Sequence, residues 1–446
     1  MPGQYRGVHL TSILFKTVER VIGQPLTAFL ESRGFGDAQW AFRKMSSARD
    51  MIIIYVAKWV LAICAGRKIG LYLSDISGAF DKVSRVLLIG KLSQFGLPAS
   101  FLDFLHSYLI QREGFVRVEG AISEAMELAN MVFQGTVLGP SLWNGFFADV
   151  ATEIPIDCQE VNLFADDLSA TTLAHRDVSE NIIWEELTEL QQRTHEWGRK
   201  NQVEFDPSKE HFVIIHPSQG IGDDFKLLGT LFDSKLTMVP CLEALLSKIR
   251  PKIRALMRLK HLYPLATMIS QYKCHIWGLK EYSTGALLLA PPSQLVRLDK
   301  IQRWYLRELG ITDTEAFVIF NFAPPSLRRS IGIFGFLHKR VLGICHPGVR
   351  AALPFWVGDV AGFHNKALHS FTGQVHYCKR TLFDRSLYAY VLMYNRLPQD
   401  LIDIPIVKDF QTKFTHVAKQ AAMRDQEDWR SSFQHLSDLV RMFYGP

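Results

Sequence analysis

The stretch VNLFADDLSA, residues 161–170, sets two aspartates side by side between apolar and small residues. Ionised carboxylates are costly to take out of water unless something pairs with them, and two neighbours also repel each other. The pair is therefore either an exposed turn or the holder of a cation that the sequence does not spell out. "VNLFA" and "LSATTL" both have strand character, so the segment reads as strand, a two-residue turn at Asp166–Asp167, and strand.

Working outward, "IGLYLSDISGAF" is a β-rich apolar run that delivers a carboxylate, Asp75, at its end. It leads into an expected helix running from near Phe80 through "DKVSRVLLIGKLSQFG". "REGFVRVEGAISEAMEL" reads as a hairpin, and "GTVLGPSLWNGFFADVATEI" as a loop followed by a helix. After the Asp pair, Ile183, Leu187, Leu190 and Trp197 recur at helical spacing and predict an amphipathic helix from about Ser179 to Lys200. "VEFDPSKEHFVIIH" and "FKLLGTLFDS" return to strand character. Helices joined by short strands around one sheet imply an α+β domain over about 50–238, and the pattern beyond Val239 is mainly helical.

Composition sets the outer bounds. With 446 residues, 48% of them hydrophobic and 21% charged, the chain can bury substantial cores and is not a disordered one. A net charge of +6 permits a polyanionic partner without demanding one. Six scattered cysteines without a CxxC pair argue against a disulfide scaffold or zinc ribbon and fit a reducing, intracellular compartment, nuclear or cytoplasmic. Cys345, His346, His364, His369, His376 and Cys378 form the densest metal-like group, but their spacing matches no standard zinc pattern. The longest apolar run, "MIIIYVAKWVLAICAG", carries Lys58 and is short for a bilayer, so a buried helix over about Ala48–Ala65 is expected and no membrane partner.

Pairing these strands would bring Asp75, Asp166 and Asp167 together. Hard oxygen ligands of this kind suit magnesium, which binds one or two carboxylates plus substrate phosphates. Two such ions can stabilise both the attacking and the leaving oxygen of a phosphoryl displacement.

With these residues in view, the sequence resembles the reverse transcriptases of non-LTR retrotransposons, which are related to those of group II introns. "YRGVHLTSILFKTVERVI" is similar to the end of their fingers, and "AQWAFRKMSSARDMI" to the Q-x-G-F-R-x-x-x-S-T-x-D pattern that follows. "DISGAFDKV", "FQGTVLGP", "LFADDLSA", "VEFDPSKEHFVII" and "KLLGTLFD" resemble motifs A to E, in the family's order. An adjacent Asp pair alone is weak evidence, whereas five motifs in order are specific. The resemblance is strong over about 5–238 and looser through "LDKIQRWYLRELGI".

The resemblance implies a right-hand polymerase palm, an antiparallel sheet with packed helices, at 51–238. Partial fingers at 1–50, a helical thumb-like region at 239–310 and a mainly helical C-terminal region at 311–446 complete the expected organisation. It further implies an RNA-directed DNA polymerase that extends a DNA primer on an RNA template with deoxynucleoside triphosphates and two magnesium ions, which manganese could replace. Asp75, Asp166 and Asp167 match the metal-binding carboxylates, and Asp81 a supporting position. Lys209 matches a proton donor to the pyrophosphate leaving group, and Arg6 the arginine that reaches the triphosphate, where a guanidinium fork suits the contact. Phe80 falls where the family excludes a ribose 2′-hydroxyl. Gln134 and Gly135 open a loop whose glycine lets backbone approach the nucleotide; as a plainer alternative, Gly135, Gly139 and Pro140 simply make a turn. In "SKIRPKIRALMRLK", Lys248, Lys252, Arg254 and Arg258, with Arg250 and Lys260, include residues four apart on shared helix faces. Such a row either follows duplex phosphates or is a solvated charged face.

Departures bear on activity. The family's fingers begin well upstream of the segment that starts here at Tyr5, "RGVHL" replaces R-P-I-S-L, and Ala48 stands where Thr is usual. A truncated copy with an intact triad is the expected reading. Its competitor is an inactive remnant that at most binds nucleic acid; an RNA-dependent RNA polymerase is disfavoured by Phe80 and "QGTVLGP".

Overall fold

The segment Arg67–Asp75 reads as a nearly continuous apolar run because it is an inner strand, buried on both faces from Lys68 to Ser74. The computed structural model describes residues 9–33, 36–110, 112–128, 131–155, 159–354, 381–424, 429 and 436–443. It mixes helix and sheet, and divides into one unit of residues 1–44, 70–173 and 178–212 and a second of 45–69, 174–177 and 213–446.

The principal sheet has four strands in the spatial order Gln159–Phe164, Asp167–His175, Arg67–Asp75 and His211–Ile215. The first two form an antiparallel hairpin in which Phe164 pairs with Asp167. The turn is therefore Ala165–Asp166, one residue earlier than the expected Asp166–Asp167, and Asp167 opens the returning strand.

In the first unit, the amphipathic helix Glu180–Asn201 buries Ile183, Leu187, Leu190, Thr194 and Trp197, spaced three and four apart on one face. The Ser179 hydroxyl caps its first turn by accepting from the Asn181 N–H, while Arg199 and Lys200 lie in the last turn, where the helix dipole favours cations. Gly70 admits this helix close to the sheet, since a Cβ there would lie 2.6 Å from Thr172 and 2.8 Å from Ile183. Helix Gly139–Phe147 completes the core, with Phe147 between Trp143 (5.2 Å) and Trp197 (5.4 Å). The continuous helix expected from Phe80 is broken. A 3-10 turn, Ala79–Lys82, is followed by extended backbone at Val83, and helix Arg85–Gln94 starts afresh. The expected hairpin after it is present, pairing Arg117 with Ile122 across a turn in which Glu119 and Gly120 have positive φ.

The second unit holds helix Ala48–Cys64, apolar nearly all round and buried accordingly. Its Ile53 meets Gly285 of helix Thr284–Leu287, where any side chain would clash. Trp59 lies edge-on to Phe232 (5.5 Å) of the small ribbon Phe225–Leu227/Thr230–Phe232. From Val239–Arg258 onward the described residues are helices and connections. No described helix is long and apolar enough to cross a membrane.

Candidate active site

Two strand ends carry the candidate carboxylates. The Arg176 N–H donates to the Gly66 carbonyl (2.9 Å), and Gly70 stands against Thr172, so Arg67–Asp75 and Asp167–His175 run antiparallel in one register. Carried to the other end of the strands, that register sets Asp75 beside Asp167. Asp75 and Asp166 are half-buried and Asp167 is exposed. Among the described residues, no group of three or more His, Cys, Asp or Glu side chains is gathered closely enough to hold a metal ion. The three aspartates thus reach neighbouring strand ends without being drawn into one ligand cluster.

A cation does meet Asp75. The Lys209 ammonium donates to its Oδ2 at 2.6 Å and lies 3.6 Å from Asp206. The 3-10 turn Pro207–Lys209 delivers it, with the Asp206 side chain accepting from Ser208 N–H, and Asp206 N–H donating to the Asp75 carbonyl. The Asp75 hydrogen bond raises the pKa of Lys209 above its ordinary value, against a smaller opposing effect of burial. Behind this pair sits Glu210, whose carboxylate accepts from Tyr72 (2.6 Å), Ser74 (3.2 Å) and Gln191, and meets His195 Nε2 at 2.8 Å. Burial pushes Glu210 upward, but the hydrogen bonds from Tyr72, Gln191 and His195 outweigh it and leave the carboxyl below its ordinary pKa.

The hairpin tip is held from outside the hairpin. Ala165 has φ of 59°, which an L-residue adopts at a cost of roughly 1–2 kcal/mol. Its N–H donates to Gln39 Oε1 (3.0 Å), and its carbonyl accepts from Gln39 Nε2 (3.2 Å) and Trp143 Nε1 (2.9 Å). Trp143 also stacks on Phe80 (5.4 Å, 24° between planes), and Phe42 meets Phe80 edge-on at 6.4 Å. Phe80 is half-buried and follows Gly78, whose φ of 67° makes the turn.

Gln134 is half-buried, and exposed Gly135 has φ of 89°. Their loop is braced: Thr136 Oγ1 donates to the Phe133 carbonyl (2.7 Å) and accepts from Gly139 N–H (3.2 Å). A Cβ at Gly139 would lie 2.9 Å from the Phe133 carbonyl oxygen. Glu19, buried on helix Ile13–Ser32, accepts from Val137 N–H (3.0 Å) and from the Tyr108 hydroxyl.

Arg6 lies outside the described residues. Lys248, Lys252, Arg254 and Arg258 are all exposed on helix Val239–Arg258 of the second unit, as is Arg250. Of the metal-like group, Cys345 and His346 are buried, with His346 Nδ1 capping Gly348 N–H; His364, His369, His376 and Cys378 lie outside the described residues. Sequence reasoning assigned no role to Gln39, Trp143, Glu19 or Glu210. Gln39 had a signal as the glutamine of the segment similar to Q-x-G-F-R; its contact with Ala165, like those of the other three, joins residues far apart in the chain.

A family model described as "Reverse transcriptase (RNA-dependent DNA polymerase)" matches residues 1–239. A probable RNA-directed DNA polymerase from transposon X-element of Drosophila melanogaster is 25% identical over 350 residues, covering 72% of this chain and 38% of the relative. One from transposon BS of the same fly is 28% identical over 272 residues, covering 54% and 29%. An apo telomerase from Candida tropicalis aligns with a TM-score of 0.41 at 10% identity, over 77% of this chain and 58% of that one. The chain spans less than two fifths of the length of these curated relatives.

Proposed function

The chain belongs to the reverse transcriptase (RNA-dependent DNA polymerase) family, and on that premise we propose that it is the polymerase region of a non-LTR retrotransposon enzyme. It would extend a DNA primer 3′-hydroxyl with deoxynucleotides on an RNA template. The observation that carries this reading is the common register of Arg67–Asp75 and Asp167–His175, which brings a strand-end carboxylate beside the Asp166–Asp167 tip.

The donor set fits divalent magnesium: carboxylate oxygens are hard ligands, and the ammonium against Asp75 marks that carboxylate as a seat for positive charge. Bound there by Asp75, Asp166 and Asp167, a pair of such ions would offset charge developing on the attacking and leaving oxygens, with manganese able to substitute. The chain's own residues do the rest. Lys209, kept in its ammonium form beside Asp75, would be the proton source for the departing pyrophosphate. Phe80, backed by Trp143, excludes a 2′-hydroxyl by overlap. Gln134 and Gly135 present backbone to the nucleotide and template base, and Arg6 reaches the triphosphate.

In this reading residues 51–238 form the palm, 1–50 partial fingers, and 239–310 a thumb whose Lys248, Lys252, Arg254 and Arg258 follow duplex phosphates, losing affinity steeply with salt. The region 311–446 is a further helical part. The test is extension of a labelled DNA primer annealed to RNA, with magnesium and with chelator. Magnesium-dependent addition of deoxynucleotides supports the proposal; duplex binding without any addition would replace it with the inactive remnant.

A further inference from the structure

We propose that Gln39 is a positioning residue for the catalytic hairpin, an inference that rests on the polymerase reading above. Residues 38–40 lie parallel to strand Gln159–Phe164: Leu163 N–H donates to the Ala38 carbonyl (2.8 Å), and Trp40 N–H to the Leu163 carbonyl (2.9 Å). Those two bonds end at Leu163. Beyond it, the side-chain amide of Gln39 continues the ladder by one rung, taking both the N–H and the carbonyl of Ala165 as a neighbouring peptide would. The amide orientation is set by its partners. Oε1 faces two N–H groups, Ala165 and Ala41 (2.9 Å), and the reverse orientation would oppose donor to donor.

Gln39 is 1% exposed, so a bond lost here is not replaced by bulk water. Ala165 is the turn residue with left-handed backbone, and it immediately precedes Asp166. A residue in that region persists only where its surroundings over-determine it. Three bonds do so, two from Gln39 and one from Trp143, and of the two side chains only Gln39 engages the Ala165 N–H. Since Asp166 and Asp167 are aimed by this turn, Gln39 acts on the reacting centre through Ala165 without touching substrate.

The test uses the full chain and compares the parent with Gln39→Met, which keeps length and apolar volume but offers neither bond, and with Gln39→Met/Ala165→Gly. Gln39→Met is expected to lower kcat about 10- to 100-fold, the scale of a small misplacement of catalytic groups. The dNTP KM and duplex affinity should stay within about threefold, since the groups that set them are untouched. Independently of activity, hydrogen exchange of the Ala165 amide should accelerate in Gln39→Met while that of Leu163, whose partner is backbone, stays protected. Because glycine enters the left-handed region freely, the double variant should regain part of the lost kcat.

An active parent with an equally active Gln39→Met would overturn the proposal. So would unchanged exchange at Ala165, or loss of protection across the whole sheet, which would make Gln39 a general stability residue. An inactive parent would sink the polymerase reading, and the exchange pattern would still decide whether Gln39 holds the turn.

Discussion

Phe80→Val separates the DNA-making from the RNA-making reading and can be worked from the contacts around the ring. Phe80 is half-buried, stacked on Trp143 at 5.4 Å and met edge-on by Phe42 at 6.4 Å. Removing a fully buried ring costs about 3–5 kcal/mol. Half burial and the retained methyls of valine bring this to roughly 1–2 kcal/mol, and loss of the stacked pair adds about 1 kcal/mol. Stability should therefore fall by about 2–3 kcal/mol, while the backbone bond from Val132 N–H to the Phe80 carbonyl (2.8 Å) is independent of the side chain. In the proposed reading the ring blocks a 2′-hydroxyl by overlap, so shrinking it should relax discrimination while leaving the Asp75, Asp166 and Asp167 side chains in place. The assay is single-nucleotide extension, comparing kcat/KM for a ribonucleotide and the matching deoxynucleotide in one preparation, where misfolded protein lowers both alike. The ribo-to-deoxy ratio should rise about 10- to 100-fold. An unchanged ratio in an active Phe80→Val protein would leave Phe80 a core aromatic and remove its role as a gate.

Two further predictions concern buried charge. The folded-state pKa of Glu210 is depressed, so its contribution to stability is present above the ordinary glutamate value near 4.3 and is lost as pH falls through the folded value. Glu210→Gln should flatten this part of the acid limb in urea titrations between pH 3 and 6, and an acid limb as steep as the parent's would refute the assignment. Lys280 is fully buried, donates to the Tyr272 hydroxyl at 2.6 Å, and is pushed by burial down to about 7. Between that value and the free-lysine value near 10.4 the unfolded chain binds more protons, so stability should rise with pH by up to about 1 kcal/mol per unit. Lys280→Met should abolish that rise; its persistence would show that another group titrates there.

What the sequence disclosed, and what it hid, follows from the reach of the forces involved. The helix Glu180–Asn201 was legible because Ile183, Leu187, Leu190 and Trp197 mark one face. Helix Ala48–Cys64 was legible from the length of its mainly apolar run, interrupted by Lys58. The hairpin around the Asp pair was legible as well, but its turn was not. Local preference puts aspartate at positive φ far more readily than alanine, yet Ala165 takes that conformation because Gln39 and Trp143 hold it, from 126 and 22 residues away. The break at Val83 also escaped, since nothing in "AFDKVSRVLL" interrupts helical periodicity as proline would. Asp75 and Lys209 could be matched one by one, but their 2.6 Å contact spans 134 residues and emerges only from strand order. Nothing local marks Glu19 or Glu210, whose donors are brought to them by the fold.

The central claim is that Asp166, beside Asp167 and Asp75, does the chemistry. The most direct measurement is primer extension on an RNA template by Asp166→Asn next to the parent, with duplex binding measured on the same preparations. The exchange removes a charge at the hairpin tip and leaves the basic helix Val239–Arg258 intact. Extension should be abolished while duplex affinity stays nearly unchanged. Extension at the parent's rate would contradict the account.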